Sequence, residues 1–111
     1  DIMAITANVD LGNGATASSC YIIIPNAQVT KFRPEQDGES AKFKLFYDVN
    51  IYQNKAAADT FDLGSRLRKR IPCRTVDKFR IDYDVTTTDN PWKLAYTHLK
   101  TNSSLSSVAD A

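Results

Sequence analysis

The sequence predicts a mainly β protein: an antiparallel sandwich or barrel-like meander with one C-terminal α-helix packed on it. Apolar residues take every second position in Phe43, Leu45, Tyr47, Val49 and Ile51, and again in Phe79, Ile81, Tyr83 and Val85. Successive side chains of an extended chain point to opposite faces, so a period of two marks strands with one face in a core and one in water. Near the end, Trp92, Ala95, Tyr96 and Leu99 follow the i, i+3, i+4, i+7 spacing of a single helical stripe.

The elements follow in order. Ala4 to Leu11 reads as a first strand, and Gly12-Asn13-Gly14 supplies the positive φ angles of a tight turn. Ala17 to Ile24 is the second strand. Its end, Tyr21-Ile22-Ile23-Ile24, is continuously apolar, as expected of a central strand or one used at an interface. Pro25-Asn26 marks a break before a strand over Ala27 to Arg33, and Pro34 to Ser40 is a polar loop with a turn at Asp37-Gly38. Ala41 to Tyr52 is the strongest strand.

Beyond Tyr52 the rhythm breaks. Lys55 to Asp59 favours a short helical turn or a long excursion, with Phe61 and Leu63 as its anchors. Ile71-Pro72-Cys73 opens a strand pair, or one long bent strand, that reaches Val85; Pro72 cannot donate to a ladder and belongs at an edge or a strand start. Asn90 caps a helix over about 90–100, with Pro91 at its first position. Residues 1–101 form a single β-rich domain, while 102–111 is a small, polar tail expected to be flexible on its own.

The chain of 111 residues suffices for one core, and its 42% apolar and 24% charged residues are ordinary for a globular protein. A net charge of +1 creates no global field toward nucleic acid or a membrane. No apolar run approaches the ~20 residues of a membrane helix, and no basic stretch precedes an apolar one at the start. The natural start is expected at Met3 and the protein is expected to be soluble and made in the cytoplasm. Cys20 and Cys73 match no redox or metal spacing; they read as two small apolar residues in strands, with a single bridge between neighbouring strands as the alternative.

Few residues suggest reaction chemistry. His98, the only histidine, lies off the helical stripe, on a flank or in solvent, and reads as non-catalytic. Asp82 and Asp84 share a strand face with Lys78 and Arg80 and read as solvated decoration. Asp37 and Glu39 complete no calcium loop. The chain has no phosphate-cradling glycine loop, HExxH, GxSxG or CxxC motif, so neither a catalytic site, a metal nor a cofactor is expected.

Charge is concentrated in one window. Between Arg66 and Arg80 lie seven of the 14 basic residues and one acid, Asp77, so this window is about +6 and the rest about −5. Read as extended chain, Arg66, Arg68 and Arg70 share one face. Such an edge either blocks unwanted pairing or meets an acidic partner. Arg66, Arg68, Lys69, Arg70 and Arg74, together with Tyr21 and Ile23, are the candidate partner-binding residues. Aromatic residues are not interleaved through the cluster, which makes nucleic acid the lesser alternative.

End to end, the layout resembles a family of small bacteriophage proteins encoded among tail and baseplate genes. The resemblance lies in the first strand entering Leu11-Gly12-Asn13-Gly14-Ala15, Tyr21, the long strand ending at Tyr47 to Tyr52, and Lys55-Ala56-Ala57-Ala58. The strand Phe79 to Val85 and the closing Ala95 to Thr101 complete it. It implies a virion component with an all-β body and a C-terminal helix, and brings no catalytic residues. The expected function is a non-enzymatic structural part of a tail, baseplate or neck that contacts other virion proteins or itself as a homo-oligomer. The alternative is a small phage-encoded module that binds a host protein or nucleic acid through Arg66–Arg80.

Overall fold

The computed structural model describes residues 4–111, so the expected start at Met3 lies outside the described residues. The first sheet has the order β5 (Asn50–Tyr52), β2 (Thr16–Ile23), β1 (Ile5–Asp10), β7 (Leu105–Asp110) and the second β3 (Ala27–Phe32), β4 (Lys42–Asp48), β6 (Lys78–Asp82), and every pairing is antiparallel. One continuous core receives residues from both sheets and from the helix over Pro91–Leu99, giving the sandwich-like β fold that the alternation predicts.

Strand β1 (Ile5–Asp10) buries Ile5, Ala7 and Val9. It turns through Gly12 and Gly14, both at φ 83°, into β2 (Thr16–Ile23). Side chains with a Cβ avoid that left-handed conformation, which is why glycine stands there. Strand β2 lies between β1 and β5, the central place its apolar end suggests, and buries Cys20 and Ile22. A bulge at Ser19 (φ 53°) is held by the Asn8 side chain, whose Oδ1 accepts from the Ser19 N–H at 2.9 Å.

The second sheet comprises β3 (Ala27–Phe32), β4 (Lys42–Asp48) and β6 (Lys78–Asp82). The expected single strand over 41–52 is divided. Its last residues form β5 (Asn50–Tyr52) in the other sheet, and the chain crosses at Val49, whose N–H donates to the Asp77 carbonyl at 2.7 Å. Leu45, Tyr47, Val49 and Ile51 are all buried across this corner. The period of two runs on because both sheets face the same interior, so the pattern is silent about the corner.

The strand pair, or single bent strand, expected from Ile71 to Val85 is reduced to β6. Residues 71–77 run irregularly, after one isolated bridge between Tyr52 and Arg70. Exposed Pro72 has no N–H for a ladder, while buried Cys73 and Val76 pin the segment as a loop. Cys20 and Cys73 are both buried and unbridged, Cys73 lying in this loop and not in a strand.

Helix α3 (Pro91–Leu99) begins where predicted: Asn90 Oδ1 accepts from the Lys93 N–H at 2.8 Å and Pro91 takes the first position. Ala95, Tyr96 and Leu99 enter the core, and the Tyr96 hydroxyl accepts from the buried Ile24 N–H at 2.9 Å. Trp92, expected to pack onto the sheet, remains 44% exposed and rests at the rim, its Nε1–H donating to the Ile24 carbonyl at 3.2 Å.

The tail is corrected most. Leu105–Asp110 is strand β7, paired along β1 with Leu105 buried. The Asp10 N–H donates to Ser104 O at 2.8 Å, and the Ala111 N–H to Ala4 O at 3.0 Å. Lys100 and Asp110 form an ion pair. A polar segment that cannot build a core of its own is ordered here by adding to an open sheet edge, where main-chain groups supply the bonds and two apolar residues, Leu105 and Val108, the anchors.

Candidate functional site

The excursion after β5 forms two short helices, α1 (Lys55–Ala58) and α2 (Leu63–Arg68). Each starts on a side-chain cap: Asn54 Oδ1 accepts from Ala57 N–H and Asp62 Oδ2 from Ser65 N–H, both at 2.9 Å. Phe61 and Leu63, expected as anchors, anchor nothing. Phe61 is 100% exposed and Leu63 56%, and α2 buries none of its residues.

The extended edge expected at Arg66–Arg74 is likewise replaced. The chain is helical through Arg68 and Lys69 forms the cap, so Arg66, Arg68 and Arg70 do not share a face. Capping by Asp62 and a run of good helix formers outweigh the alternation seen in the sequence. Helical spacing instead puts Leu63, Arg66 and Leu67 on one side, and Arg70, just past the cap and bridged to Tyr52, joins them. All four line an open groove of about 520 Å³, whose opposite wall is Ile23 and the β4–β5 corner at Asp48–Asn50. Arg70 also lines an adjoining hollow of about 380 Å³ with Arg74.

Four of the seven candidate residues therefore converge: Ile23, Arg66 and Arg70 in the groove, and Arg74 beside it. Arg68 and Lys69 stand around it, while half-buried Tyr21 pairs across β2–β5 with Tyr52 and lines neither hollow. The pairing of Leu63 with Leu67 is hidden in an extended reading of the chain. Its signal was present as Asp62 three residues before Ser65, a helix start that places those leucines one turn apart.

The cations here are held by neutral groups. Arg68 Nη2 donates to Ser65 Oγ at 3.2 Å, Lys69 Nζ to Thr60 Oγ1 at 3.0 Å and Arg70 Nε to Leu67 O at 3.2 Å. Among the described residues, no ion pair within 4.0 Å involves Arg66, Arg68, Lys69, Arg70 or Arg74. Two acids, Asp48 and Asp77, also line the groove, Asp48 accepting from Asn26 at 2.9 Å. The surface thus offers positive charge and bare leucine side by side.

Acid should loosen it. The hydrogen bonds from Ser65 hold the Asp62 carboxyl below the usual carboxylate range. A group depressed in the folded state stabilises above its unfolded pKa, and that stabilisation is lost as pH falls through the folded value. Amide exchange at Ser65 and Arg66 should accelerate relative to β1 when exchange at pH 3 and pH 7 is corrected for intrinsic rates; unchanged relative protection would show that the cap holds nothing.

His98 lies on the flank of the helical stripe and not in solvent. It is half-buried in the seam between α3 and the second sheet, hydrogen-bonded through Nδ1 to the Tyr47 hydroxyl and packed edge-on to Tyr47 and Phe79. Burial pushes the Tyr47 phenol up. Asp82 is on the opposite, exposed face of that sheet, ion-paired with Lys44, and Asp84 accepts from Thr86 in the following turn. The sheet separates His98 from Asp82, so these groups do not converge. Among the described residues no group of three or more His, Cys, Asp or Glu side chains is placed to hold a metal ion.

Together these features define a two-sheet β protein with a solvent-facing, basic and leucine-bearing helical surface. No protein-family model, curated protein or solved structure matches this chain.

Proposed function

We propose that the chain is a non-enzymatic structural component of a phage virion, in the tail, baseplate or neck, and that it works by protein–protein contact. The observation that carries this reading is α2, which buries nothing of its own and leaves Leu63, Leu67 and the preceding Phe61 in water among unpaired cations. An exposed apolar cluster in a charged setting favours coverage by a partner surface. The virion assignment rests on the resemblance to small tail and baseplate proteins. The C-terminal segment lends it no support, because its partner is β1 of the same chain.

Quantitative mass spectrometry of purified particles of the encoding phage tests the reading. The chain should be found at a fixed stoichiometry with known tail proteins; its absence from washed particles would sink the assignment. The second reading is a module that binds a host protein or nucleic acid, favoured by the five cations that lack a carboxylate partner. Phosphate contacts would give an affinity that falls steeply and linearly with log salt. No retardation of DNA or RNA at low salt removes the nucleic-acid form.

A further inference from the structure

We propose that copies of this chain join head to tail, the acidic β3–β4 loop of one seated on the basic α2 face of the next. The inference rests on the contact reading above and names the partner as a second copy. Glu35, Asp37 and Glu39 sit in the loop between β3 and β4, where every residue from Lys31 to Ser40 is exposed. None of these three acids takes part in an ion pair among the described residues, nor does any of the five cations around α2. Two opposite, unsatisfied charge clusters therefore occupy one molecule.

They cannot meet within it. The loop adjoins Lys42 at the start of β4, whereas the groove is built on Asp48 to Asn50 at its end. The seven residues of β4 hold them about 20 Å apart at the usual strand rise. The molecule measures 49 × 32 × 24 Å, and the three loop acids and the α2 cations lie toward opposite ends of this sheet. Lys31, Arg33 and Lys42 flank the loop, so the negative charge is confined to its tip.

Apolar surface follows the same polarity. Phe32, which leads into the loop, and Val85, just past β6, are both exposed at the loop end, opposite to Leu63 and Leu67 at the α2 end. A neighbour docked through its loop brings Phe32 toward the leucine pair while its carboxylates meet Arg66 and Arg70. Such a contact uses two different patches, and repetition of it makes a ring if the rotation closes and a filament if it does not.

Sedimentation velocity over a concentration series tests this, using the whole chain at about 50 mM and about 500 mM salt, where the screening length differs several-fold. The wild type should associate at low salt and dissociate at high salt. The loop variant E35K/D37K/E39K and the helix variant R66E/R70E should each associate about tenfold more weakly or not at all. An equimolar mixture of the two should recover association, because each supplies the charge the other lacks; recovery cannot come from misfolded variants. R66Q/R70Q serves as the helix variant if R66E/R70E melts early, and its acidic loop should still pair with the basic helix of the loop variant. A monomeric wild type, association indifferent to either reversal, or a mixture that stays apart overturns the head-to-tail contact. A chain that associates regardless of these charges, or is monomeric yet stoichiometric in particles, leaves the virion reading standing without it.

Discussion

Truncation after Ser104 is expected to destabilise the protein by about 3 kcal/mol or more and to make it prone to aggregate. The loss combines burial of Leu105, partial burial of Val108 and the ladder along β1. Against a typical total of about 5–15 kcal/mol this is a large share. It also leaves β1, with Ile5, Ala7 and Val9 on its inner face, as a bare edge able to pair with other chains. Urea unfolding of the truncated and full chains makes the comparison, with Ser106→Ala as an exposed control expected within about 0.5 kcal/mol of the parent. Equal midpoints for truncated and full chains would show that β7 contributes nothing.

The second large effect is expected at α3. Leu99→Ala should cost about 2–5 kcal/mol, since Leu99 is fully buried where helix and sheets meet and the core cannot collapse fully around the missing methyl groups. Trp92→Ala should cost less despite deleting a larger side chain, because Trp92 keeps much of its surface in water. In sequence the two residues are equivalent members of one stripe. A Trp92 effect equal to or larger than that of Leu99 would contradict this placement of the helix.

Legibility followed the range of the interactions. The turn at Gly12–Gly14, the Asn90 cap with Pro91 and the alternation in β4 and β6 depend on neighbours within a few residues, and each is present. The strand over 41–52 was divided because a sheet corner at Val49 leaves the inward pattern intact. The tail was misjudged because composition reports whether a segment can fold alone, not whether an edge awaits it. Four of the seven site residues converge, for a reason an extended chain does not contain: helical spacing unites Arg66 with Leu63 and Leu67, and the bridge to Tyr52 brings Arg70 beside them.

Sequence alone determined that this chain is an antiparallel β protein with a capped C-terminal helix and a concentrated patch of positive charge, because period, capping chemistry and charge are local properties. Tertiary structure alone decided which sheet each strand joins, that residues 105–110 complete the first sheet, that His98 packs on Tyr47, and that the acidic loop and basic helix lie at opposite ends of β4. Those outcomes depend on which edges and cavities remain when distant segments meet, and no window of a few residues contains that information.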